Sequence, residues 1–121
     1  MDDRDDDPSL RRSRGRPDHE WQRVVVQALT ASPVLADRSA RAMLVELVGD
    51  VLGRPVHLRE QATVPLQFLE LVRFCVREDG GLPALAHAVR TVAGDGLTAD
   101  TVGEQVRKFL EAVAPGRAGE R

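Results

Sequence analysis

Residues 63 to 96 read TVPLQFLELVRFCVREDGGLPALAHAVRTVAGDG, and their punctuation decides the fold. Thr63 offers a side-chain oxygen to the first turn of a helix, where Pro65 is tolerated because first-turn amides lack intrahelical partners. The helix that follows runs to about Glu78. It is apolar on most sides, through Val64, Leu66, Phe68, Leu69, Leu71, Val72, Phe74, Cys75 and Val76. A helix hydrophobic nearly all round is usually enclosed, so this one is expected at the centre of its bundle. Asp79-Gly80-Gly81 then breaks the chain, since glycine readily supplies the left-handed conformation past a helix end. A further helix from Pro83 to about Ala93 points Leu82, Leu85, Ala86, Val89 and Val92 inward, and Gly94-Asp95-Gly96 stops it.

The same pattern extends outward in both directions. Upstream, Asp18 is a good N-cap for a helix to about Ala31, with Trp21, Val24, Val25, Ala28 and Leu29 on one stripe. Ser32-Pro33 ends it. Asp37 or Ser39 caps a second helix to about Leu52, with Ala40, Met43, Leu44, Leu47, Val48, Val51 and Leu52 on one face. Gly53 and Pro55 stop that helix, and residues 55 to 62 form a connector with room for a short helical turn at His57 to Gln61. Downstream, a last helix starts near Thr98 or Thr101, where Thr101 and Glu104 have capping-box spacing. It runs to Ala114 with Val102, Val106, Phe109, Leu110 and Val113 as its stripe. No stretch alternates with period two, so the expected fold class is all-α, a compact bundle of five or six helices.

The ends differ from this unit. Residues 1–17 hold Asp2, Asp3, Asp5, Asp6 and Asp7 with Arg4, Arg11, Arg12, Arg14 and Arg16, and almost nothing apolar. Such a segment cannot offset its ordering entropy by burial and reads as a disordered polyampholyte tail. Residues 115–121 read similarly, which leaves 18–114 as the folded domain.

Charge and composition narrow the function. The 121 residues carry 17 basic and 19 acidic side chains, a net charge of −2. Within residues 18–114, thirteen acids and ten bases leave −3. A nucleic-acid binder usually shows a basic face, so nucleic acid is not the expected partner. No run of ~18 apolar residues marks a membrane span. The acidic N-terminus is unlike a signal peptide, so cytoplasmic residence is expected.

Catalytic residues are hard to find. The single cysteine, Cys75, sits on the stripe Val64, Phe68, Leu71, Val72, Cys75 and reads as a core residue, not a nucleophile. His19, His57 and His87 are dispersed, without metal-ligand spacing. The glycine pairs lack the context of a phosphate loop. No catalytic residue, cofactor or metal is expected, and the chain reads as a non-enzyme. The alternative is a small helix-turn-helix DNA-binding regulator, whose last helix would present Gln105, Arg107 and Lys108 alongside Glu104 and Glu111.

The order of the segments carries a resemblance. Leu35-Ala36-Asp37 precedes Arg41-Ala42-Met43-Leu44-Val45-Glu46-Leu47, and an apolar helix ends in Val72-Arg73-Phe74-Cys75-Val76. Asp79-Gly80-Gly81-Leu82-Pro83-Ala84-Leu85 and Val89-Arg90-Thr91-Val92-Ala93-Gly94-Asp95 follow. Over residues 24 to 114 this resembles the effector-associated domains of bacterial conflict systems, in particular effector-associated domain 2. Asp79 stands where Pro or a small residue is more usual. The resemblance implies a death-fold-like adaptor that associates like with like. Its implied partners are similar domains fused to peptidase, TIR or NTPase modules, and a homo-oligomer is among the implied assemblies. The charged residues near the resembling motif, Arg38, Arg41, Arg73, Arg77, Glu78, Asp79 and Arg90, are then the candidate protein-interface residues.

Overall fold

The computed structural model describes residues 17–119, with side chains from 20 to 113. Five α-helices and one 3-10 turn account for most of it: α1 (Pro17–Ala31), the 3-10 turn (Val34–Ala36), α2 (Arg38–Leu52), α3 (Val64–Arg77), α4 (Gly81–Ala93) and α5 (Leu97–Gly119). No strand occurs among the described residues. The fold class is therefore all-α, with five α-helices among the described residues. The expected turn of helix at His57 to Gln61 does not form. That segment stays extended, with Gln67 of α3 holding it by both ends of its amide. Gln67 Oε1 accepts from the Gln61 amide at 2.8 Å, and Nε2 donates to the Arg59 carbonyl at 3.1 Å.

The helix boundaries follow from local chemistry. Asp37, not Ser39, caps α2, its Oδ2 accepting from the Ala40 amide at 3.0 Å. Thr63 Oγ1 caps α3 by accepting from the Leu66 amide. At the far end of α2 the Gly53 and Arg54 amides both donate to the Gly49 carbonyl, a Schellman closure. The 3-10 turn had no strong sequence signal. Buried Ser32 accepts from the Leu35 amide at 3.2 Å and bends the chain there. α1 begins at Pro17, whose missing N–H costs nothing at a first helical position. α5 begins at Leu97, so Thr101 lies a turn inside it and the expected capping box is not its start. Its backbone stays helical to Gly119, beyond the expected end at Ala114. The remaining tail residues, 1–16 and 120–121, lie outside the described residues.

The bundle is organised around α4. It packs on α2, α3, α5 and the 3-10 turn, while α1 bridges α3 and α5 on the other side of the core. Gly81, Leu82, Ala84, Leu85, Ala88 and Val89 of α4 are all buried. This corrects the expectation that α3 is central. α3 packs mainly on α1 and α4 and buries a single stripe, Phe68, Leu71, Val72 and Cys75. Small residues explain the exchange. Ala84, Ala88 and Gly81 let neighbouring helices come close to the α4 axis, whereas bulky residues all around α3 hold neighbours off. The closest approach is at Gly81, where a Cβ would lie 2.3 Å from the Cys75 carbonyl oxygen. The preceding Gly80 turns the corner at φ 78°, a left-handed value that glycine adopts without steric cost.

Two other expected core faces are open at their edges. Met43 and Val51 of α2 were read as inward, yet each is 50% exposed, because α2 packs on α4 and the 3-10 turn alone with Leu44 and Val48. Leu110 and Val113 of α5 are also exposed. α5 has 23 residues against 15 in α1, so it outruns its neighbour by about 12 Å. Near its middle α5 is held by Phe109, whose ring lies 4.9 Å from that of buried Trp21.

Candidate interaction surface

The seven charged residues singled out by sequence divide into ties within the fold and free heads. Arg41 is a tie: its Nη1 donates to the Leu35 and Ala36 carbonyls at 3.0 and 2.9 Å, closing the end of the 3-10 turn. Glu78 is another. It is half-buried at the end of α3 and takes two hydrogen bonds from Arg54, so the α2 terminus is fastened to the α3–α4 corner. Arg90 is the third, clasping the α4–α5 break through Asp95 at 2.6 Å and Asp100 at 3.6 Å. The hydrogen bond it donates to Asp95 makes the Arg90 guanidinium more basic than usual, with both carboxylates adding attraction.

Arg38, Arg73, Arg77 and Asp79 are exposed and form no ion pair among the described residues. They do not converge on one patch. Arg38 lines an open groove of about 620 Å³ between α2 and the extended connector, over Val45, Val56 and Leu58. Arg73 lines a different groove of about 490 Å³ between α1 and α3, over Val26, Pro65, Leu66 and Leu69. Arg77 lies one turn beyond Arg73 on the same helix, and Asp79 sits in the glycine corner.

Sequence reasoning missed the apolar part of this surface. Leu66 is 47% and Val76 36% exposed, both on the side of α3 away from the core, and Met43 and Val51 stand out on α2. A signal was present. A helix with nine large apolar residues cannot bury them all unless partners cover every side, and α3 has helical neighbours chiefly on one.

Groups that carry chemistry stay dispersed. Cys75 is buried, and that burial, aided by the charge of Glu78, pushes its thiol up to about 12, which keeps it protonated and unreactive. Among the described residues no three His, Cys, Asp or Glu side chains gather where they could hold a metal ion. No helix there is long and apolar enough to cross a membrane. The basic groups of α5 that a recognition helix would present are already occupied. Arg107 pairs with Glu104 at 2.8 Å and Glu111 at 2.9 Å, and Lys108 Nζ lies 3.8 Å from Glu104. Arg107's hydrogen bond holds the Glu104 carboxyl below the ordinary carboxylate range.

The segment from Val26 to Arg107, which holds the last six residues of α1, all of α2 to α4 and about the first half of α5, matches the family model for effector-associated domain 2. The chain belongs to that family. The matched span covers all seven charged residues, the groove beside Arg38 and most of the lining of the groove beside Arg73, while the core residues Trp21 and Val25 lie just outside it. Neither curated proteins nor solved structures gave a match to the chain.

Proposed function

We propose that this chain is a non-enzymatic protein–protein interaction adaptor of a bacterial defence or signalling system. It joins effector and sensor components by associating with similar effector-associated domains, including ones fused to peptidase, TIR or NTPase modules. Membership of the effector-associated domain 2 family carries the reading. One feature of the molecule agrees with it: apolar side chains left standing on the outsides of α2 and α3. The free charges Arg38, Arg73, Arg77 and Asp79 flank these apolar residues and would choose partners and steer encounter. Arg41, Glu78 and Arg90 support the surface from within and do not touch the partner. Such work belongs in the cytoplasm, where effectors are held ready.

The test is calorimetric titration of the full chain with effector-associated domains encoded in neighbouring reading frames. A complex with a Kd of ~100 μM or tighter, the weak end for transient contacts, is expected for at least one. Failure of every such domain to bind at that concentration overturns the reading. A gel shift at low salt tests the DNA-binding alternative, and no shift is expected.

A further inference from the structure

The two outward strips left uncovered on α2 and α3 match each other. On α3, Leu66, Leu69, Arg73, Val76 and Arg77 recur at three- and four-residue steps along the side opposite the buried Phe68, Leu71, Val72 and Cys75. On α2, Met43, Glu46 and Asp50 occupy the side away from buried Leu44 and Val48, while exposed Val51 lies in line with Leu44 near the helix end. Both strips mix half-exposed aliphatic side chains with charge of one sign. Arg73 and Arg77 form no ion pair among the described residues, and neither do Glu46 and Asp50. Half-buried Glu70 borders the α3 strip but is paired with neither arginine.

The spacing agrees as well as the sign. Each charged pair is four residues apart, about 6 Å along a helix axis, so two helices laid side by side match both acids to both arginines in either direction. Within one chain the strips do not meet. α2 lies against α4 and the 3-10 turn, α3 lies against α1 and α4, and both strips face outward.

We propose that copies of this chain associate head to tail, the α2 strip with Glu46 and Asp50 on one copy seating on the α3 strip with Arg73 and Arg77 on the next. This rests on the reading that like domains associate, and it names the surfaces. Because the two sides of the contact differ, every contact leaves one strip of each kind open. Association therefore continues into a chain or closes into a ring, and does not stop at a two-fold dimer. The aliphatic residues provide the area removed from water, and the charges set register and sign.

Sedimentation velocity of the full chain at low salt, from ~10 μM to ~1 mM, tests this. Two variants each block one side: Arg73→Glu with Arg77→Glu, and Glu46→Arg with Asp50→Arg. The unmodified chain is expected to grow past dimer mass with concentration and to fall back as salt screens the charges. Each variant alone is expected to stay monomeric, its self-association weakened on the order of 100-fold by like charges brought together. Mixed, the two variants bring unlike charges together at both kinds of contact, the unmodified one and the one with its signs exchanged, and are expected to regain assembly past dimer mass. Circular dichroism melts check that the exposed substitutions leave the fold intact, and the milder Arg73→Gln with Arg77→Gln pair replaces any variant that unfolds. An unmodified chain that stays monomeric or stops at a dimer overturns the proposal. So does a variant that still assembles alone, or a mixture that does not pair. A chain that binds a foreign effector-associated domain yet remains monomeric overturns this inference and leaves the adaptor reading standing. Assembly through these strips with no foreign domain captured does the reverse.

Discussion

α3 and α4 are consecutive helices of 14 and 13 residues that meet at one glycine corner, yet α4 is enclosed and α3 lies at the rim. α3 is the bulkier of the two, with phenylalanines and leucines on several sides. α4 is built from alanine, glycine and a few leucines and valines. The difference teaches that enclosure depends on how closely neighbours can approach, and not on how apolar the helix is. Three helices can crowd around Ala84, Ala88 and Gly81. Around α3 the same number would be held apart by side chains, and its second apolar side stays open.

Substitutions can break or sharpen this contrast. The largest effect is expected at the centre of α4, where Leu85 is fully buried. Leu85→Ala removes its packing and leaves a cavity, lowering stability by about 2–5 kcal/mol in urea denaturation. At the corner, Gly81→Ala places a methyl against the Cys75 backbone, which side-chain rotation cannot relieve. A loss near the upper end of the ~1–3 kcal/mol range for overpacking is expected by thermal melting. A loss below ~0.5 kcal/mol would mean that the two helices do not meet as closely as the structure has them.

The buried side of α3 gives a pH-dependent test. Cys75 holds its proton to about 12 when folded, whereas in the unfolded chain it ionises near an ordinary thiol value of about 9. Between these values the folded state binds more protons than the unfolded one, so stability falls as pH rises through that window. Cys75→Ala is expected to flatten the fall, measured as the urea midpoint against pH. The smallest effect is expected on the open side of α3. Leu66→Gln should shift stability by no more than about 0.5 kcal/mol despite replacing a leucine in the middle of an apolar run. A loss comparable to that at Leu85 would place Leu66 in the core and dissolve the contrast.

Much of the fold is legible because its signals are local. Asp37 and Thr63 cap the helices they precede, and glycines end α2 and α4 and turn the α3–α4 corner, all through bonds to residues a few positions away. The Phe68, Leu71, Val72, Cys75 stripe is legible for the same reason. What escapes the sequence is set by neighbours. Helical periodicity says which residues share a side but not whether another helix covers it, so Met43, Val51 and Leu66 looked inward. The candidate surface shows the same limit. Arg41, Arg73 and Arg90 are alike as letters. Their roles diverge because carbonyls at the end of the 3-10 turn lie beside the first, no acid among the described residues pairs with the second, and Asp95 and Asp100 flank the third.

The sealed position of Cys75 has a practical consequence. The native chain offers a maleimide dye no ready sulfur, so a cysteine installed at an exposed site such as Ser39 would accept the dye alone. Donor- and acceptor-labelled batches could then be mixed, and energy transfer between neighbouring copies followed in real time, without first deleting a side chain from the core.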